Sequence, residues 1–120
     1  MIAMASTTRV FVYTEPTDMR KSFNGLSGFV KEHFKVDLFS GHLFVFFNRR
    51  RDCVKILMWD NDGLSLWCKR LEAGTFEKLI TAEEGSFEID SAGLVMMLRG
   101  VQIEGTTRRK RYSIDREKAA

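Results

Sequence analysis

The spacing of hydrophobic positions changes along the first third of the chain. Residues 9–13 form a short β-branched and aromatic run closed by a polar, proline-containing stretch, which is typical of a strand followed by a turn. Apolar residues then recur at steps of four, three, four and four: Met19, Phe23, Leu26, Val30 and Phe34. This spacing predicts a helix, capped by Thr17 or Asp18, whose apolar stripe faces the core.

Three further hydrophobic segments predict an antiparallel β-meander. Residues 43–47 are uniformly apolar, which is typical of a strand buried on both faces and therefore central in its sheet. Residues 53–59 and 64–71 are also strand-like, and the sequence Asp-Asn-Asp-Gly at 60–63 separates them. These turn residues tolerate the positive φ of a tight hairpin, so we expect position 53 to face 70 and position 55 to face 68.

The last third of the chain predicts a short helix and a polar tail. Asp90 or Ser91 is placed to cap a helix that Gly100 ends, and residues 75–80 and 87–89 are either short strands or irregular cover. The predicted fold is α+β: a meander of three or more strands packed with one longer N-terminal and one short C-terminal helix. We expect a single domain over residues 1–103 and a basic, flexible tail over 104–120.

Composition supports one small domain that stays out of membranes. A chain of 120 residues with 44% hydrophobic content can form a single modest core. It contains no apolar run near the roughly 20 residues that cross a bilayer. The first residues lack the basic flank and apolar core of a secretory signal, so we expect a cytoplasmic protein.

The residues suited to metal or redox chemistry are few and dispersed. Cys53 and Cys68 fall off register in the predicted hairpin, which favours free thiols in a reducing compartment. His33 and His42 have no Cys-x-x-Cys pair beside them, so a zinc site is poorly supported. We expect no cofactor.

The acidic pair Asp60-x-Asp62 is explained by the hairpin turn. A calcium loop that starts at Asp60 would need glycine and glutamate where the chain has Ser65 and Leu71. A metal-dependent strand-transfer site needs three converging carboxylates, which this pair does not supply. We therefore expect no catalytic activity.

Positive charge is concentrated rather than spread. Residues 1–103 carry 13 Lys and Arg against 13 Asp and Glu, whereas residues 104–120 carry 6 against 3. Antiparallel pairing also brings residues 49–51, all arginine, to the same end of the sheet as Lys69 and Arg70. Asp60 and Asp62 lie at the opposite end, so the sheet is expected to be polarised. The cations either contact nucleic-acid phosphates or form a solvated turn.

Three aromatic residues near these cations have two interpretations. Trp59, Trp67 and Tyr112 could stack on the bases of a single strand. The predicted register instead places Trp67 opposite Ile56 and Trp59 opposite Leu64, which are ordinary cross-strand pairs. Core packing is the simpler interpretation.

Three stretches together carry a family resemblance. The segments at 17–26 (TDMRKSFNGL), 39–46 (FSGHLFVF) and 49–76, which includes the hairpin KILMWDNDGL, resemble the accessory proteins, often called TnpB, of insertion sequence family 66. The resemblance covers about residues 17–100. Ser22 stands where that family usually has glycine, and the tail from residue 104 is less typical.

The resemblance implies a small protein encoded beside a separate, larger transposase and assisting transposition. Its polar pattern adds Asp18, Arg20, Lys21 and Lys55 as candidates for a binding face. For Asp18, a role as helix cap is favoured slightly over a contact role. The complete predicted nucleic-acid site is Arg20, Lys21, Arg49, Arg50, Arg51, Lys55, Lys69, Arg70, Arg108, Arg109, Lys110 and Arg111.

These observations lead to a functional hypothesis. We expect a non-catalytic accessory protein that assists DNA transposition by binding DNA, the separately encoded transposase, or both. The alternative is a protein-interaction or regulatory module with no DNA contact. Neither hypothesis involves a membrane.

Overall fold

A computed structural model describes residues 4, 5, 7–78 and 85–100 of the chain. They form one five-stranded sheet with a helix on each face. The strands are β1 (Val10–Tyr13), β2 (Leu43–Phe47), β3 (Cys53–Asp60), β4 (Gly63–Arg70) and β5 (Ser86–Ile89). The helices are α1 (Phe23–His33), a short 3-10 helix (Leu38–Ser40) and α2 (Ser91–Arg99). The predicted tail at 104–120 lies outside the described residues.

The sheet is mixed, with strand order β4-β3-β2-β1-β5. Strands β2, β3 and β4 form the predicted antiparallel meander, but β1 pairs parallel to β2, and β5 pairs antiparallel to β1. The prediction of a purely antiparallel sheet was therefore wrong. The physical reason is the order strand, helix, strand: α1 carries the chain back along the sheet, so that β2 can run in the same direction as β1.

Strand β2 is the central strand and is fully buried, as predicted. On one face, Phe44 and Phe46 pack with Leu26 and Val30 of α1 and with Phe34, which directly follows this helix. On the other face, Leu43, Val45 and Phe47 pack with Leu94, Met97 and Leu98 of α2. Because neighbouring strand residues point to opposite faces, two helical layers require an unbroken apolar run at this position.

The β3–β4 hairpin has the predicted register. Cys53 lies opposite Arg70 and Lys55 opposite Cys68, so the two cysteines do not face each other and both are free. Trp67 lies opposite Ile56 and Trp59 opposite Leu64, also as predicted. Asn61 takes a φ of 55°, the left-handed conformation that the tight turn demands.

The start of α1 differs from the prediction. The helix begins at Phe23 with Ser22 as its N-cap residue, so neither Thr17 nor Asp18 caps it. Thr17 is buried, and its amide donates to the Phe47 carbonyl oxygen over 2.8 Å, which fixes this residue against the sheet rather than in a helix. Phe23 is 44% exposed and is not part of the core.

The remaining elements confirm some expectations and correct others. The Asp90 side chain accepts from the Gly93 amide, and Gly100 ends α2 with a φ of 77°. Residues 87–89 lie in β5. Of the predicted segment 75–80, residues 75–78 form no strand, and residues 79 and 80 lie outside the described residues. The 3-10 helix was not predicted. Neither α1 nor α2 has the length and apolar content that crossing a bilayer requires, among the residues described.

Candidate nucleic-acid interface

The turn between β2 and β3 is organised by Asn48. Its Oδ1 accepts hydrogen bonds from the amides of Asp52 (3.1 Å) and Cys53 (3.0 Å), and its Nδ2 donates to the Asp52 carboxylate over 2.6 Å. These bonds satisfy backbone groups that a turn would otherwise leave unpaired. Arg49 and Arg50 are exposed at this turn, as the sequence predicted for a polar turn.

Arg51 has a different environment from its two neighbours. Its guanidinium lies 4.1 Å from the centroid of the Phe47 ring and donates to the carbonyl oxygens of Glu77 (2.6 Å) and Phe76 (3.4 Å). The Phe76 amide in turn donates to the Arg51 carbonyl oxygen over 2.7 Å. Arg51 thus holds residues 76 and 77 against the turn, and these bonds engage its Nε and Nη2 donors within the fold.

Lys69 and Arg70 end β4 beside this turn. Arg70 lies opposite Cys53 and Lys69 opposite Val54, and both cations are exposed. Because strand side chains alternate, Arg70 points to the α1 face and Lys69 to the α2 face. Arg70 Nη2 lies 3.6 Å from a Glu72 oxygen, but both side chains are largely exposed, so this ion pair contributes little.

The start of α1 is fastened to the same region. Lys55 is half-buried, and its Nζ donates to the Lys21 carbonyl oxygen over 2.7 Å. Met19, both cysteines, Lys55, Lys69 and Arg70 line one shallow hollow of about 150 Å³. Residues preceding α1 and residues of β3 and β4 therefore contribute to a single surface.

Arg20 is paired with Asp18 in this segment. Arg20 Nε lies 3.0 and 3.1 Å from the two carboxylate oxygens, and Nη2 donates over 2.7 Å. Hydrogen bonds from the Arg20 side chain and amide lower the pKa of Asp18 to about 2. The pair is exposed, so Arg20 keeps solvent contact while its charge is largely balanced.

The first turn of α1 adds partial positive charge that the sequence reasoning missed. Within the described chain the Ser22 side chain makes no capping hydrogen bond, and the first turn has no acidic residue. Unpaired amides and the helix dipole make such a terminus favourable for an anion. We expected the helix to begin at Thr17 or Asp18, so the open first turn after Ser22 was not predicted. The absence of an acidic residue just after this serine is the sequence feature that indicates it.

We define the cationic end as the surface that the first turn of α1 and these side chains form: Lys21, Arg49, Arg50, Lys55, Lys69 and Arg70. The acidic end is the β3–β4 turn, where Asp60 and Asp62 are exposed. Antiparallel pairing of the two strands places these ends at opposite ends of the hairpin, as predicted. Arg108, Arg109, Lys110 and Arg111 lie outside the described residues.

The tryptophans do not belong to the cationic end. Trp59 contacts the ring of Phe39 edge-on, with the centroids 4.9 Å apart, close to the acidic end. Trp67 packs against the core on the α2 face. Tyr112 lies outside the described residues. For the two tryptophans, the structure supports the packing interpretation over stacking on bases at the cationic end.

The fold and the site define a small α+β domain with a polarised sheet. The family model described as IS66 Orf2 like protein matches residues 8–108. The chain therefore belongs to the IS66 Orf2-like family, the accessory proteins of a family of insertion sequences.

Two similar proteins come from Sinorhizobium fredii. The uncharacterized protein y4hO is 36% identical over 101 residues, which cover 84% of this chain and 87% of that protein. The uncharacterized protein y4jC is 37% identical over 76 residues, which cover 63% and 65% of the two chains. No solved structure matches the chain significantly.

Proposed function

We propose that this protein assists transposition without catalysis, by binding DNA at the cationic end and working beside the separately encoded transposase. The family supports the accessory role. The observation that carries DNA binding is that the exposed Arg49 and Arg50 of the β2–β3 turn lie at the same end of the sheet as Arg70. The hydrogen bond from Lys55 to Lys21 joins β3, next to this turn, to the segment just before α1. Phosphates are recognised by such a combination of basic side chains and backbone amides.

Polarisation supports the proposal more than total charge does. Acidic and basic residues balance over residues 1–103, so the folded body has no general attraction for a polyanion. With the cations at one end and Asp60 and Asp62 at the other, approaching DNA is attracted to one end and repelled from the opposite one. Such a field orients the protein on its partner.

The second candidate is a protein-interaction module without DNA contact. Phe39 favours it, because this side chain is 54% exposed next to Trp59 at the far end of the sheet. Exposed aromatic groups are common in protein interfaces. A docked transposase there is compatible with DNA at the cationic end, so the two candidates differ only in whether DNA binds directly.

Charge reversal with a matched control tests the proposal. The test variant is Arg49→Glu with Arg50→Glu, and the control is Lys31→Glu with Lys35→Glu; all four side chains are exposed. Both variants change net charge equally, but the control residues lie at and beyond the last turn of α1, away from the β2–β3 turn. We measure affinity for transposon-end DNA by fluorescence anisotropy at fixed ionic strength.

We expect the Arg49/Arg50 variant to lose at least tenfold in affinity and the control to lose much less, because only the first pair touches phosphates. Equal losses would contradict a defined site. If the wild type binds no DNA but still co-purifies with transposase, the second candidate is correct. Incubation with DNA and Mg²⁺ is expected to leave the strands intact; cleavage that an Asp60→Asn, Asp62→Asn variant abolishes would contradict the non-catalytic role.

A further inference from the structure

Phe23 is an exposed aromatic side chain at the first residue of α1. It precedes the buried residues Leu26 and Val30 by three and seven positions, so it shares their inward-facing stripe. Leu26 and Val30 are 0% exposed, whereas Phe23 is 44% exposed. The apolar stripe of α1 therefore extends beyond the part of the helix that packs against the sheet. Its exposed residue lies at the N-terminal end of the helix, where the amides have no helical acceptor.

The surroundings of Phe23 belong to the cationic end. Lys21, two residues earlier, is the residue whose carbonyl oxygen accepts from Lys55 Nζ. The Leu26 amide makes the first bond within the helix, to the Ser22 carbonyl oxygen at 2.8 Å, so the amides of residues 23–25 have no helical acceptor. An exposed apolar residue thus begins the helix turn whose open amides are suited to a phosphate, two residues after Lys21.

The other exposed phenylalanine shows what is unusual about Phe23. Phe39 is 54% exposed, but its ring packs edge-on against Trp59. Among the described residues, Phe23 makes no ring–ring contact. One phenylalanine therefore extends an aromatic cluster at the acidic end, while the other is exposed in the first turn of α1.

We propose that Phe23 stacks on an unpaired base, so that the cationic end binds single-stranded or locally unpaired DNA in preference to intact duplex. This inference rests on the proposed function. In a duplex the faces of the bases are covered by their neighbours, and a protein surface meets phosphates, sugars and base edges. A base that has left the stack presents a π-face, and an aromatic ring beside cations is the arrangement that holds single strands without reading their sequence.

The experiment compares two probes on the full chain. Anisotropy titrations use a labelled oligothymidine strand and a labelled duplex of equal length and mixed sequence. The test variant is Phe23→Ala, and the control is Phe39→Ala, which removes the other exposed ring at the acidic end. Phe23→Leu keeps apolar contacts with the protein but removes the aromatic face, and Phe23→Tyr keeps a ring. Circular dichroism confirms that each variant is folded.

We expect the wild type to bind the single strand more tightly than the duplex. Phe23→Ala and Phe23→Leu should weaken single-strand binding by about fivefold to a hundredfold, as loss of one stacked base implies, and change duplex binding less than twofold. Phe23→Tyr should retain single-strand affinity, and Phe39→Ala should change neither probe.

Three results would overturn the inference. Equal loss for both probes would mean that Phe23 acts only by supporting the surface, and no loss for either would mean that the ring is not used. In both cases the proposed function would stand, because DNA would still bind. If the wild type binds neither probe, the proposed function fails and this inference fails with it.

Discussion

Lys55 Nζ donates a hydrogen bond to the Lys21 carbonyl oxygen over 2.7 Å. This contact joins the start of β3 to the segment just before α1, through two residues that are 34 positions apart in the chain. Through this bond, Lys55 positions the segment before α1, so that the first turn of the helix lies next to the hairpin. The cationic end is therefore a built surface whose parts come from two distant stretches of sequence.

Replacing Lys55 by methionine should loosen this connection. Lys55→Met keeps an apolar side chain of similar length but removes the donor, so we expect the free energy of unfolding to fall by about 1 kcal/mol. Urea denaturation followed by circular dichroism measures the change. Lys31→Met, at an exposed position of α1, is the control and should change stability by less than about 0.5 kcal/mol. Equal effects of the two substitutions would refute the positioning role.

Arg51 is expected to stabilise the fold rather than bind DNA. Arg51→Ala removes the bonds to the Glu77 and Phe76 carbonyl oxygens and the contact with the Phe47 ring, so we expect a loss of about 2–3 kcal/mol in unfolding free energy. Arg50→Ala, one residue away and exposed, should cost less than about 0.5 kcal/mol. Denaturant titration of both variants measures this, and a reversed order would contradict the assignment.

The ion pair of Asp18 and Arg20 makes a prediction for acid titration. The pKa of Asp18 is lowered to about 2 from a usual 3.8, chiefly by hydrogen bonds from Arg20. Because the pKa of Asp18 is lower in the folded than in the unfolded protein, its ionised carboxylate stabilises the fold at pH values above the unfolded pKa. This contribution disappears as pH falls from about 4 to about 2. In Arg20→Gln, an NMR titration of the Asp18 carboxyl should find a higher pKa. An unchanged midpoint would show that Arg20 is not the cause.

The two thiols should differ in reactivity. Cys68 is exposed, whereas partial burial, with Asp52 beside it, raises the pKa of the Cys53 thiol and so lowers its thiolate fraction at neutral pH. Iodoacetamide should therefore modify Cys68 first, as peptide mass spectrometry would show. Because Cys68 lines the same hollow as Arg70, saturating DNA should slow its modification. Faster labelling of Cys53, or no protection of Cys68 by bound DNA, would contradict this account.

Local sequence patterns predicted the elements that depend on local rules. The apolar run of β2, the hairpin register with Cys53 opposite Arg70, and the caps of α2 follow from side-chain alternation and turn chemistry. The parallel pairing of β1 with β2 could not be derived in this way, because no local pattern states which strands become neighbours. It depends on how α1 packs across the whole sheet.

The positions of the candidate residues could be predicted in outline, whereas their surroundings could not; their role in binding stays a prediction. The polarity of the hairpin follows from its register, so Arg49, Arg50 and Arg70 could be grouped from the sequence. The structural role of Arg51 could not, because its acceptors lie 25 and 26 residues away. Phe23 was assigned to the core because its spacing matched the helical stripe, and periodicity alone does not reveal where the covering layer ends.

The salt dependence of DNA binding tests the central claim most directly. The measured quantity is the slope of log affinity for a single-stranded probe against log salt concentration. Each phosphate contact adds about 0.7 to the downward slope. Neutralising Arg49 and Arg50 together, as Arg49→Gln with Arg50→Gln, should therefore reduce the slope by up to about 1.4. Lys31→Gln with Lys35→Gln should leave the slope unchanged. A slope that is the same in all three proteins would contradict phosphate binding at the cationic end.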